Sequence, residues 1–311
     1  MMLARVADSL YWLGRYIERA EHLSRLSSVM LNATLDQTDS GTQAVWIAMA
    51  AVGDPGDGEN IGSFEAAEAL VLDRGDPNSV VSSLARAREN ARQVRDQITT
   101  ETWERLNLLY LKVTDAKAGK EFSDSSSTFL HDVIADLHLF KGAADTTMSH
   151  GESWRFMMLG MYMERAQLVS RLLEVCFAES PAHGLVDDHV ALVTVLRMAC
   201  ALEPYLRVYT AEIEPRHILE FLVFDEDFPR SIRFATAQIE QHLSAMVRGE
   251  RGGPERLAGR LKARLEFADV DELEAVGAGP LLTTVVNECA RIHEAIYDTF
   301  VAYPLETRLP A

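Results

Sequence analysis

A glycine followed four residues later by Glu-Arg occurs twice in closely similar surroundings. Gly14, Glu18 and Arg19 lie in the run Leu13-Gly-Arg-Tyr-Ile-Glu-Arg-Ala, and Gly160, Glu164 and Arg165 lie in Leu159-Gly-Met-Tyr-Met-Glu-Arg-Ala. Two such carboxylates could do two kinds of work. Facing one pocket, with pKa values split by neighbouring charge, they would form an acid and a base. Facing arginines, they would form a structural ion-pair network. The 100° step of a helix turns Arg19 away from Glu18, so the adjacent residues do not pair, and a desolvated glutamate needs a cation from another helix. Crossed pairing, Glu18 with Arg165 and Glu164 with Arg19, meets that need, and the two glycines would let the helices approach closely. Arg25 and Arg171 stand two turns further along the same helices and complete the candidate network.

A second pair of matched segments is Leu70-Val-Leu-Asp-Arg-Gly-Asp-Pro-Asn-Ser-Val80 and Leu222-Val-Phe-Asp-Glu-Asp-Phe-Pro-Arg-Ser-Ile232. Pro77 and Pro229 suit a first helical turn, Asp76 suits the cap of the first copy, and Ser79 and Ser231 fall in the turn itself. Free N–H groups at such a start attract anions, which makes Arg230 and Ser231 candidates for an anion site. Arg88, Arg92 and Arg95 share one side of a helix and form a second candidate anion face; the alternative is a solvated face paired with surplus carboxylates. Trp12, Trp103 and Trp154 read as core or interface anchors.

Other catalytic patterns are missing. Neither Glu18-Arg-Ala-Glu21 nor Glu164-Arg-Ala-Gln167 supplies the Glu-x-x-His element of a di-iron bundle, and no Cys/His ligand spacing occurs, so no metal or cofactor is expected. Gly119-Lys120 is followed by Glu121, which excludes a P-loop, and no Gly-x-Ser-x-Gly elbow exists. His22, His138, His150 and His293 are scattered singly and read as structural.

The elements that must hold these residues are helices. Leu3, Val6, Leu10, Leu13, Ile17 and Ala20 form one apolar stripe at steps of three and four, as do Val80, Leu84, Ala87, Ala91, Val94 and Ile98. Similar spacing covers 128–148, 154–177, 186–202 and 281–300. Phe221-Leu-Val-Phe224 is too short and isolated to build a sheet. Breaks fall at 53–62, 123–127, 180–184, 249–254 and 277–280. The two matches have offsets of 146 (159 − 13) and 152 (222 − 70). Matches in the same order at nearly one spacing imply tandem duplication. The expected architecture is an all-α helical bundle with pseudo-two-fold symmetry: a single domain spanning 1–311, built from repeats 1–150 and 151–311.

The 311 residues include 48% apolar and 25% charged side chains, a globular balance. With 30 Lys and Arg against 47 Asp and Glu, the net charge is −17, which disfavours nucleic acid as a partner. The longest clean apolar run, Ala44 to Val52, is about half of what a bilayer helix requires, so no membrane span is expected. Cys176, Cys200 and Cys289 are widely spaced among apolar residues and read as reduced thiols. The start lacks the apolar core and cleavage site of a secretory signal, and a cytoplasmic location is expected.

The duplicated Leu-Gly-x-Tyr-x-Glu-Arg-Ala, with Arg25 and Arg171 downstream, resembles the alpha-E family of bacterial helical proteins named for their Glu-Arg motif. The resemblance extends through Leu3-Ala-Arg-Val-Ala-Asp-Ser-Leu-Tyr-Trp-Leu-Gly, Glu89-Asn-Ala-Arg-Gln-Val-Arg95, Glu101-x-Trp103 with Asn107, and Phe228-Pro-Arg-Ser231. Met161, standing where the first copy has Arg15, departs from it. The resemblance implies a cytosolic protein encoded beside a circularly permuted ATP-grasp protein, often with a transglutaminase-like protein, a setting of ATP-dependent peptide or amide-bond formation. The reading that follows is a non-catalytic helical partner that binds or positions an ATP-grasp-type ligase or its peptide substrate. Two alternatives stay open: an enzyme of that pathway using the Glu18/Glu164 pair, and a bundle that binds an anion or small molecule.

Overall fold

The computed structural model describes residues 2–35, 40–53, 61–177, 189–210, 212–246 and 253–302. Among them every regular element is helical and no strand occurs. In the first part of the chain the helices are α1 (Ala4–Leu35), α2 (Ser40–Ala51), α3 (Ser63–Leu72), α4 (Val80–Gln93), α5 (Thr100–Thr114), α6 (Ala118–Asp124) and α7 (Ser126–Thr147). The second part has α8 (Glu152–Phe177), α9 (His189–Met198), α10 (Leu202–Tyr209), α11 (Pro215–Leu219), α12 (Ile232–Met246), α13 (Pro254–Phe267), α14 (Val270–Val276) and α15 (Gly279–Ile296).

Two long helices, α1 and α8, form the centre. The apolar stripe of α1 puts Leu10, Leu13, Ile17 and Ala20 wholly inside, while Leu3 at its start is exposed. Helix α1 packs against α8, α4 and α7, and α5 lies against α4 and α7. Helix α8 packs in turn against α12 and α15, with α13 against both of these. Helices α2 and α3 lie along α1, and α2 also reaches α8.

Glycine decides how closely the central pair docks. A Cβ placed on Gly14 would lie 1.9 Å from the Met157 carbonyl oxygen, and one on Gly160 would lie 1.9 Å from that of Tyr11. Real Cβ atoms do not approach backbone so closely, so the two helices touch main chain to main chain, where only glycine fits.

Helix ends differ in places from what the sequence pattern predicts. The stripe expected to run to Ile98 belongs to a helix that stops at Gln93. The Val94 N–H turns back to the Ala91 carbonyl, and Thr99 caps α5 by accepting from the Thr102 N–H at 3.3 Å. Pro77 and Pro229 are not in the first turn of a helix, and Asp76 is not a cap. The prolines sit in the preceding turn because Ser79 and Ser231 are themselves the last residues before α4 and α12. Ser79 Oγ accepts from Ser82 N at 3.2 Å and Ser231 Oγ accepts from Phe234 N at 3.0 Å. Each hydroxyl also donates backwards, to the carbonyls of Asp73 and Asp225. A serine cap of this kind contributes about 1 kcal/mol. These bonds occupy both hydroxyls, so Ser231 serves helix initiation rather than an anion.

Phe221–Phe224 forms part of a buried π turn, Glu220–Phe224, continuing α11. The serine-rich break at 123–127 shrinks to Ser125 between α6 and α7. The break at 180–184 and most of those at 53–62 and 249–254 lie outside the described residues. No single described helix is long and apolar enough to cross a membrane; α9 and α10 meet that measure only jointly and are bent by 119°.

Candidate functional site

The glycine contact brings the two Glu-Arg motifs face to face. Glu18 is 1% exposed and receives Arg165 through two bonds, Nε to Oε1 at 2.7 Å and Nη2 to Oε2 at 2.8 Å. Glu164, 2% exposed, receives Arg19 Nε on Oε1 at 2.7 Å and Arg15 Nε on Oε2 at 2.6 Å. Each motif's glutamate is therefore held by the other motif's arginine, across α1 and α8. Arg165 also donates to the Pro229 carbonyl at 2.9 Å, and Arg19 donates to Asn78 Oδ1 at 2.9 Å, so both arginines tie the central helices to the turns that start α12 and α4.

Further cations come from outside the two Glu-Arg pairs. Lys141 on α7 donates to Glu18 Oε2 at 2.6 Å and to Glu21. Arg230 donates to Glu21 and stands 3.6 Å from Glu18. Arg25 donates to Glu21 at 3.0 Å and also meets His138 at 2.9 Å. Arg230 thus lies inside the network and does not wait for an outside anion. Met161, in the place corresponding to Arg15, is buried in the helix interface; the extra positive charge on Glu18 arrives from Lys141 instead.

Burial by itself would raise the pKa of all three carboxyls. The surrounding cations overcome it: Arg165 and Lys141 lower Glu18, Lys141 and Arg230 lower Glu21, and Arg15 and Arg19 lower Glu164. All three carboxylates therefore remain ionised well below neutrality. An acid–base couple needs one partner protonated near the working pH, and this arrangement opposes that.

The expected arginine face does not hold together: Arg88 and Arg92 stand on α4, but Arg95 lies in the turn beyond it, because the helix ends at Gln93. Arg88 bonds Asn107 Oδ1 at 2.8 Å and lies over the rings of Tyr110 and Trp103, and Arg95 also covers Trp103. Arg92 pairs with Glu89 on the exposed side. Trp103 is accordingly a platform for guanidinium groups rather than a purely apolar anchor.

Arg171 is the network residue that the structure leaves out of the pairs. It is exposed and has no ion-pair partner among the described residues. It borders a concavity of about 110 Å³ between α1, α2 and α8, shared with Arg15, Arg19, Asn78, Glu164 and Gln167. Glu18 does not line this space. No group of three or more potential metal ligands occurs among the described residues.

His22, wholly buried beside the network, has its pKa lowered to about 4 by burial and by Arg230, and Nε2 has no hydrogen-bond partner. Burial together with Arg155 and His150 lowers His242 to about 4 as well. In the unfolded chain such residues take up protons near pH 6.5, whereas the folded protein resists until about 4, so acidification through this window favours unfolding. Thermal melting followed by circular dichroism should show Tm falling between pH 6.5 and 4, and His22→Gln should flatten that part of the curve. An unchanged slope in the variant would contradict the assignment. Below the window, the lowered carboxylates add a further loss as the unfolded glutamates protonate.

The chain matches the Alpha-E family model, described as a predicted alpha-helical domain with a conserved ER motif, over residues 2–301. Relatives include uncharacterized proteins of Mycobacterium bovis and Mycobacterium tuberculosis, each 26% identical over 320 residues, covering 94% of this chain and 36% of the relative. The chain thus spans about a third of the length of the curated relatives it matches. No solved structure matches it. With the family model covering nearly every residue, and the doubled Glu-Arg at the centre of the structure, this chain belongs to the Alpha-E family.

Proposed function

We propose that this protein is a non-catalytic binding and positioning component, built from an ancestral helical unit copied in tandem, that acts in the cytoplasm beside an ATP-grasp-type peptide or amide ligase and, where one is present, a transglutaminase-like protein. The duplicated, pseudo-two-fold architecture is supported by contacts that recur at the sequence offsets. Gly14 over Met157 matches Gly160 over Tyr11, 146 residues apart (160 − 14). The Asp73, Ser79 and Ser82 bonds match those of Asp225, Ser231 and Phe234, 152 residues apart (231 − 79).

The non-catalytic reading rests on one observation: both glutamates of the doubled motif are clamped by cations and held ionised. An acid–base enzyme would need Glu18 and Glu164 on one shared cavity, and only Glu164 borders the concavity. What that concavity offers is positive charge, suited to holding a ligand or partner group. The ligase association itself is drawn from the resemblance to the family.

The test is co-purification of the tagged protein with an ATP-grasp ligase of the kind that the family resemblance implies. The expected result is association at equal stoichiometry. Failure to associate at micromolar concentrations of both proteins would overturn the reading.

A further inference from the structure

The two sides of the central helix pair are built from matched positions but closed differently. On one side Glu21 stands three residues after Glu18, and its carboxylate takes up Arg25, Lys141 and Arg230. At the matched position on the other side is Gln167, and Arg171 stands where Arg25 would be. One carboxylate is therefore missing beside Glu164, and the space it would serve is the concavity of about 110 Å³.

Three guanidinium groups, of Arg15, Arg19 and Arg171, border that space against the single carboxylate of Glu164. Both Glu164 oxygens are already engaged. Arg19 commits Nε and Nη1, and its Nη2 has no acceptor among the described residues; Arg171 has none for its whole fork. Gln167 presents its oxygen to Arg15 at 2.7 Å, which leaves its amide N–H groups as further donors. A local surplus of two positive charges in a chain of net −17 is a site for an anion.

We infer that this concavity binds a terminal carboxylate, supplied by the ligand in place of the carboxylate that Glu21 supplies on the opposite side. Guanidinium forks and planar carboxylates match in geometry. Apart from Asn78, whose Oδ1 is taken by Arg19, the remaining walls are Leu23, Ala51, Val52 and Leu168, which are apolar and suit a small aliphatic group next to the carboxylate. The volume is far below the roughly 300–1,000 Å³ of a pocket that encloses a whole drug-sized ligand. The ligand is thus an amino-acid-sized acid or the C-terminal end of a short peptide whose remainder lies outside. This inference rests on the binding and positioning role, and gives that role a chemical class.

The probe is N-acetyl-alanyl-alanine, titrated calorimetrically into the full chain as the free acid and as the C-terminal amide, with inorganic phosphate as a third arm. The free acid is expected to bind, and loss of the charged group should weaken binding by about tenfold or more, in the amide and in Arg171→Ala alike. Gln167→Glu provides the missing carboxylate from within, and should abolish binding without lowering Tm. Equal binding of acid and amide, no binding of the acid, preference for phosphate, or undiminished binding by Gln167→Glu would each overturn the inference. Co-purification of Gln167→Glu with the ATP-grasp protein separates the two proposals. Retained association with no peptide binding by the native chain removes the carboxylate site alone, whereas peptide binding without association removes only the ligase partnership.

Discussion

Replacing Gly14 with alanine is expected to destabilise the protein by about 3 kcal/mol, the upper end of the usual overpacking cost, and Gly160→Ala by a similar amount, because neither site has a side chain that can step aside. The added methyl carbon meets a backbone carbonyl oxygen at 1.9 Å in each case. Relief requires the long helices α1 and α8 to separate, which stretches the four arginine–glutamate bonds spanning them. Urea unfolding of each variant measures the effect. A loss below about 1 kcal/mol, the scale of an ordinary helix substitution, would mean that the main chains are not in contact. Gly142 and Gly259 provide the comparison, since a Cβ at either site meets nothing within 4 Å. Alanine there should be neutral or slightly stabilising, as helix propensity favours it.

Glu18→Ala is the second large change, with an expected loss of about 3–5 kcal/mol. The cost comes less from losing attraction than from what stays behind: Arg165, 10% exposed in its side chain, loses its bidentate acceptor, and Lys141 retains only Glu21. Buried cations without acceptors are what make broken pairs costly, while replacing a complete buried pair by apolar groups can be nearly neutral. Glu18→Gln should fall between the native protein and Glu18→Ala, because it keeps an acceptor but removes the charge. The acid sensitivity should also change. Glu18 holds a proton less readily when folded than when unfolded, so its stabilising effect is present above the unfolded glutamate pKa and disappears as pH falls. The variant should therefore lose less stability on acidification than the native chain does.

The crossed pairing was legible because two facts combine in the sequence: helical geometry denies Glu18 its neighbour Arg19, and the motif is present twice. Gly14 and Gly160 carried the close approach in the same way. The periodic stripes located α1, α7, α8 and α15 well, since burial along one face enforces their spacing. Helix starts were harder. Pro77 and Asp76 have the right chemistry for a first turn, yet Ser79 takes the cap because its hydroxyl can bond both the Asp73 carbonyl and the Ser82 N–H. That choice depends on how the preceding turn folds back.

The remainder of the network was hidden by distance along the chain. Lys141 and Arg230 lie 120 and 209 residues from Glu21, and nothing local marks either as its partner. Arg230 instead has the local look of an anion-binding residue at a helix start. Arg88 on α4 and Arg95 in the turn after it likewise read as charge alone, because the Trp103 and Tyr110 rings beneath them belong to the next helix, α5. The exchange of Glu21 for Gln167 is visible in the aligned motifs, but its meaning needs the structure, where one side is closed by cations and the other is open.

The most direct measurement is the double-mutant cycle joining α1 to α8: unfolding free energies of the native protein, Glu18→Ala, Arg165→Ala and the combined variant. If these helices clasp each other through reciprocal acid and base, the combined loss falls short of the sum of the single losses by more than about 1 kcal/mol. Losses that add to within about 0.5 kcal/mol would place the two residues out of contact and contradict the account.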